Sequence, residues 1–143
     1  MPYYRGVGNY SSFFMKGENK MIESYSTNIS VGANANIPFN STSLEKGCTV
    51  TKSAPDTFNL NKCGVYMVSV DCSTGTSTTI QLYKDGVAQA QAQSTGLSPS
   101  FTTLVQVPNN NSNCPCSSPT TIQVRNTTAG TFTDANIVIT KLV

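Results

Sequence analysis

The sequence predicts an all-β domain, a sandwich or barrel of eight or nine short strands. Three observations carry that expectation. Ser, Thr and Asn supply 17, 19 and 14 of the 143 residues, a composition that suits strands and turns and is poor in helix formers. Apolar residues alternate with polar ones in runs that return roughly every 10 to 15 residues between turn clusters. No stretch holds a helical period convincingly.

Residues 1–25 stand apart from this texture. Tyr3, Tyr4, Tyr10, Phe13, Phe14 and Tyr25 are half of the twelve aromatic residues, set among Gly6, Gly8 and Gly17. Their spacing is neither helical nor alternating. One reading is a loose terminus or a strand patch on its own domain. The preferred one is an anchoring arm in which Tyr3, Tyr4, Tyr10, Phe13 and Phe14 fill pockets on a partner, because an unpartnered arm this aromatic invites aggregation. The chain therefore divides into an arm, 1–25, and a β domain, 26–143.

Strand texture begins at Asn28. Ile29, Val31, Ala33, Ala35 and Ile37 alternate with polar residues or glycine, and Pro38 with the Asn40–Ser43 cluster closes the run. Cys48–Thr51 is a short strand, and Ser53–Asp56 a turn. Phe58 and Leu60 alternate with Asn59 and Asn61, and Asn61–Gly64 supply turn chemistry. In the strand that follows, Tyr66, Val68, Val70 and Cys72 share one face and Val65, Met67, Ser69 and Asp71 the other. Apolar residues on both faces mark it as central, with each face covered. Period alone leaves open which face fills the sandwich. A polar loop, Ser73–Ser77, ends the strand.

Thr79–Tyr83 is the next strand, and Asp85-Gly86 after it is the strongest local hairpin signal in the chain. The return strand, Val87–Gln93, sets Ala88, Ala90 and Ala92 on one face. That face is either a thin part of the core or a place where subunits meet. A helix competes, since Ala and Gln favour it, but the tight turn and the period of two decide for a strand. Gly96–Ser100 is a loop, Phe101–Val107 a strand and Pro108–Pro119 a long loop. Thr120–Val124 and Ala135–Val143 are the last strands, and Ile137-Val138-Ile139 marks the final one as central. Eight or nine such strands with no convincing helix make a β-sandwich or barrel, most often a jelly roll.

Five cysteines, Cys48, Cys63, Cys72, Cys114 and Cys116, leave three readings open. They form one or two disulfides, or a thiolate metal site using Cys114-Pro115-Cys116, or thiols without a shared role. Cys114 and Cys116 are too close in sequence to bridge comfortably to each other. Cys63 and Cys72 sit on opposite faces of an extended strand and cannot pair along it, so any disulfide must leave the central stretch. Five Asn-x-Ser/Thr triplets begin at Asn9, Asn28, Asn40, Asn110 and Asn126, as chance provides in a chain this rich in those residues.

Several function classes fall away. The chain has no His, which removes Ser-His-Asp and Cys-His catalysis and imidazole metal ligands. Seven scattered carboxylates offer no favoured acid–base pair. No enzyme activity, cofactor or metal is expected. A net charge of +2 with dispersed Lys and Arg is no nucleic-acid footprint. No apolar run has transmembrane length, and Met1–Lys20 has no signal-peptide core, so neither membrane insertion nor secretion is expected.

The order Thr57-Phe58-Asn59-Leu60, Cys63-Gly64-Val65-Tyr66-Met67-Val68, Ile80-Gln81-Leu82-Tyr83-Lys84-Asp85-Gly86, Thr121–Asn126 and Ala135–Leu142 resembles the tumour necrosis factor-like/complement-head jelly roll. Within that superfamily it is most similar to the bacterial and phage branch, comprising tips of collagen-like spore-surface proteins and small phage structural proteins. The resemblance covers residues 28–143. It implies a ten-strand, two-sheet jelly roll assembled as a homotrimer, with Tyr66, Val68, Ile137, Ile139 and Leu142 at or near the trimer core. The sequence departs from the family in lacking a collagen-like stalk before the domain and in carrying the Cys-Pro-Cys loop. The expected function is that of a virion structural protein, a trimeric capsid-decoration or fibre-base module. It docks on a capsid or tail protein through the arm and is assembled in the host cytoplasm. The alternative is a receptor-binding or adhesin tip that recognises a host-surface glycan or protein through Gly96–Ser100 and Pro108–Pro119, on a virion or on a bacterial spore or cell surface.

Overall fold

A computed structural model describes residues 20–108 and 119–143. Tyr3, Tyr4, Tyr10, Phe13, Phe14, Cys114, Cys116 and most of the Pro108–Pro119 loop lie outside the described residues. The described chain forms eleven strands: β1 (Met21–Val31), β2 (Ala35–Asn36), β3 (Ser41–Lys46), β4 (Val50–Ala54), β5 (Thr57–Leu60), β6 (Gly64–Thr74), β7 (Thr78–Lys84), β8 (Val87–Gly96), β9 (Ser100–Val107), β10 (Thr120–Asn126) and β11 (Gly130–Lys141). They make two antiparallel sheets. One has the order β3-β1-β11-β6-β9; the other has the order β4-β5-β10-β7-β8, with β2 paired to β10 beside it. Among the described residues there is no helix, and so none long and apolar enough to cross a membrane.

The core lies between the sheets. From the five-stranded sheet come Ile22, Tyr66, Val68, Val70, Phe132, Ile137 and Ile139; from the other come Phe58, Leu60, Ile80, Leu82, Ile122 and Val124, all fully buried. Each set follows the period of two, as a sheet with one packed face requires. Phe39 closes the core beside Phe58, with ring centroids 5.8 Å apart. Lys52 donates from Nζ to the Phe39 carbonyl and lies 5.9 Å from the Phe58 ring centroid, which ties the segment after β2 to β4. Partial burial lowers the Lys52 pKa, and Glu45 opposes that shift.

Several sequence expectations need correction. The sandwich begins at Met21 rather than after residue 25, since β1 pairs from Met21↔Thr140 to Val31↔Gly130 along β11. Its inward residues include Ser24 and Ser26, which hid the alternation. The Ser26 hydroxyl donates to the Pro38 carbonyl and accepts from the Asn40 amide, so its burial is compensated. The run from Asn28 to Ile37 is not one strand. It breaks at Gly32–Asn34, where Asn34 takes φ 54°, and the chain crosses from β1 in one sheet to β2 in the other. The Asn40–Ser43 cluster does not end a strand but begins β3, exposed along its whole length and therefore without apolar alternation.

The hairpin is as expected. Asp85 and Gly86 both take positive φ, 50° and 80°, the conformation of a two-residue turn between twisted strands. The alanine face of β8 divides, however. Ala92 is buried in the core, whereas Ala88 and Ala90 are exposed, because the register against β7 shifts between Gln81 and Tyr83. Cys63 is disulfide-bonded, and neither Cys48 nor Cys72, both free, is its partner.

Candidate functional site

The two faces of β6 are now distinguishable. Tyr66, Val68, Val70 and Cys72 enter the sandwich, so Val65, Met67, Ser69 and Asp71 face away from it. Of the five residues expected at the trimer core, Tyr66, Val68, Ile137 and Ile139 are fully buried within one chain, where a second copy cannot touch them. Leu142 is 52% exposed and open to a partner. The Tyr66 hydroxyl donates to the Lys62 carbonyl at 2.7 Å and accepts from the Lys62 amide at 3.3 Å, so its polar end braces the β5–β6 turn.

The outward face of the five-stranded sheet is assembled by register. Met67 lies between Leu104 on β9 and Thr140 on β11. Ser69 lies between Thr102 and Val138, and Val138 in turn faces Glu23 on β1. Glu23 pairs with Leu44 on β3, and Tyr25 lies opposite Asn136. Leu104 is 59% exposed, Tyr25 40% and Leu44 37%, while Val65, Met67 and Val138 are half-buried by their neighbours. Every described strand belongs to one of the two sheets, so no described element lies over this face.

Its electrostatics are mild. Ser69 and Thr102 satisfy each other at 3.0 Å, and the Ser43 hydroxyl donates to the Glu23 carboxylate at 2.8 Å. The face carries mainly methyl, thioether and hydroxyl groups, with a carboxylate at Glu23 between Leu44 and Val138 and another at Asp71 beside Asn136. Such a surface is suited to close packing on a second protein surface and not to acid–base or metal chemistry. Among the described residues no three His, Cys, Asp or Glu side chains converge. The exposed edge of β8, with Val87 63% exposed, and the edge strand β9 close one flank of the sandwich beside this face.

No protein-family model matches the sequence, and no curated protein matches it. Solved structures do match its backbone. The globular domain of zebrafish complement 1qA protein superposes with a TM-score of 0.68 over 87% of this chain and 98% of that one, at 9% identity. Murine APRIL gives 0.60 over 86% and 100%, at 10% identity. The fold is the tumour necrosis factor-like/complement-head jelly roll. The PRD1 vertex protein P5 shares this jelly roll, with a TM-score of 0.63 over 89% of this chain and 99% of that one, at 14% identity.

The site's strongest contributors were split among strands. Val65 and Met67 were visible as one face of β6, and Val138 as part of the doubly apolar final strand. Leu104, Leu44 and Tyr25 were not singled out for this face, because they reach it only through cross-strand register.

Proposed function

We propose that this chain is a structural protein of a virion, a trimeric decoration or fibre-base module held on a capsid or tail surface through its N-terminal residues. The observation that carries the reading is the outward face of the five-stranded sheet. It presents Tyr25, Leu44, Val65, Met67, Leu104 and Val138 although the sandwich core is already complete without them. A completed core leaves those side chains no role within one chain, and their burial between copies is favourable at about 25 cal/mol per Å² of apolar surface. Trimeric assembly is also what the sequence resemblance implies. The kinship of fold with a protein named for a vertex supports a place on a particle, and the mostly neutral surface suits an exposed knob.

The arm is tested by deletion up to residue 19, which spares β1. The truncated protein is expected to keep the assembly state of the full chain and to disappear from purified particles. Particles occupied at the full-length level by the truncated protein would refute the docking role of the arm.

A further inference from the structure

The outward face of the other sheet holds a different arrangement. Arg125 on β10 lies with its guanidinium carbon 3.9 Å from the centre of the Tyr83 ring. Stacking fixes the plane of the guanidinium but uses none of its five N–H donors. None of them meets an acceptor among the described residues, and the Nε atom is buried without a partner. Asn36 on β2 is the cross-strand neighbour of Arg125, and its amide oxygen is likewise buried without a partner. The orientation of that amide is fixed, because its nitrogen donates to the Asp56 carboxylate at 3.3 Å. A buried donor and a buried acceptor left unpaired side by side are each costly, and native proteins keep few of them.

Two more amides border the pair. Gln81 is the other cross-strand neighbour of Arg125, and its nitrogen donates to the Gln89 carbonyl at 3.2 Å. Gln123, paired with Tyr83, donates to the Thr57 hydroxyl at 2.8 Å. Each side chain thus commits one of its two amide N–H donors within the protein and keeps its amide oxygen available. The cluster therefore offers one cation with free donors and two amide oxygens that accept, those of Gln81 and Gln123, the Asn36 oxygen being buried. A neutral sugar leaves the guanidinium unmatched, and a fully ionised phosphate brings no hydrogen for the amide oxygens. A carboxylate carried on a polyhydroxylated body matches both sets.

We propose that the Arg125–Asn36–Tyr83 cluster is a binding site for an acidic saccharide, with the carboxylate on the Arg125 guanidinium and ring hydroxyls donating to the amide oxygens of Gln81 and Gln123. Asp56 stands beside the site and weakens binding by repulsion, although its oxygens are engaged by Asn36 and by the Thr57 hydroxyl at 2.9 Å. The site lies on the opposite sheet from the assembly face and does not depend on the assembly reading.

The test is titration of the full-length, isotope-labelled protein with D-glucuronate, glucose and inorganic phosphate, followed through the Arg125 Nε–H signal and the Asn36 and Gln side-chain amides. Glucuronate is expected to shift these signals saturably in the millimolar range, and glucose and phosphate to leave them unsaturated. Arg125→Gln should weaken glucuronate binding about tenfold or more, as loss of charge-assisted hydrogen bonds does. Asp56→Asn, which keeps the arginine and removes the repelling charge, should tighten it. No response to glucuronate at tens of millimolar in either the wild type or Asp56→Asn would overturn the proposal, as would equal binding of glucose.

Discussion

Cys72 illustrates how burial governs a single side chain. It sits inside the sandwich at 5% exposure, and desolvation, helped by the neighbouring Asp71 carboxylate and opposed by a backbone hydrogen bond from Asn136, pushes its thiol from 9.0 up to about 12. The folded state therefore holds a proton that the unfolded chain releases above pH 9. Its stabilising contribution is complete below pH 9 and is lost as pH rises toward 12, at up to about 1.4 kcal/mol per pH unit. Denaturant melts of Cys72→Ala should show a shallower alkaline decline than the wild type; identical declines would contradict this assignment. Thiol labelling gives a second readout. Exposed Cys48 should react in the native protein, whereas Cys72 should react only on unfolding. Tyr66 makes the complementary case for a buried polar tip. Tyr66→Phe removes both hydrogen bonds to Lys62 and should cost about 1–3 kcal/mol in a chemical melt, without changing the fold.

At the scale of elements, β6 organises the five-stranded sheet, and its first residue is the most constrained. Gly64 takes φ +144°, and a Cβ there would collide with the Val143 carbonyl oxygen and approach the Lys141 Cε to 2.8 Å. The same ending is pinned by the Leu142 amide, which donates to the Val65 carbonyl at 2.7 Å. Gly64→Ala should destabilise by about 1–3 kcal/mol and release residues 142–143, which amide exchange at Leu142 would detect. What was legible in the sequence follows from burial. The strands β5, β6, β7, β9, β10 and β11 put apolar side chains on a packed face, so alternation betrayed them. The first turns of β1 bury Ser24 and Ser26, and β3 buries nothing, so neither carried that signal. The crossing at Gly32–Asn34 was masked because alanine and isoleucine keep the period while the chain changes sheets. For the candidate site, sequence separated the two faces of β6 but did not say which was inward. That depends on which partners pack against it, a long-range fact.

For the whole molecule, the central claim is that a finished jelly roll uses the free face of its five-stranded sheet to assemble with copies of itself. Met67→Lys and Val138→Lys place charge in the middle of that face while leaving the inward residues untouched. Both variants should stay folded, with stability changed by under about 1 kcal/mol in the isolated chain, yet fail to assemble. Substituting Ala88 or Ala90 by Arg on the β8 edge tests whether the flank takes part, with a shift of mass toward the single chain if it does. The most direct measurement is the mass of the full-length protein in solution at micromolar concentration, by sedimentation equilibrium. A mass about three times the 15.2 kDa of one chain is the predicted result, and a persistent single-chain mass would contradict the account.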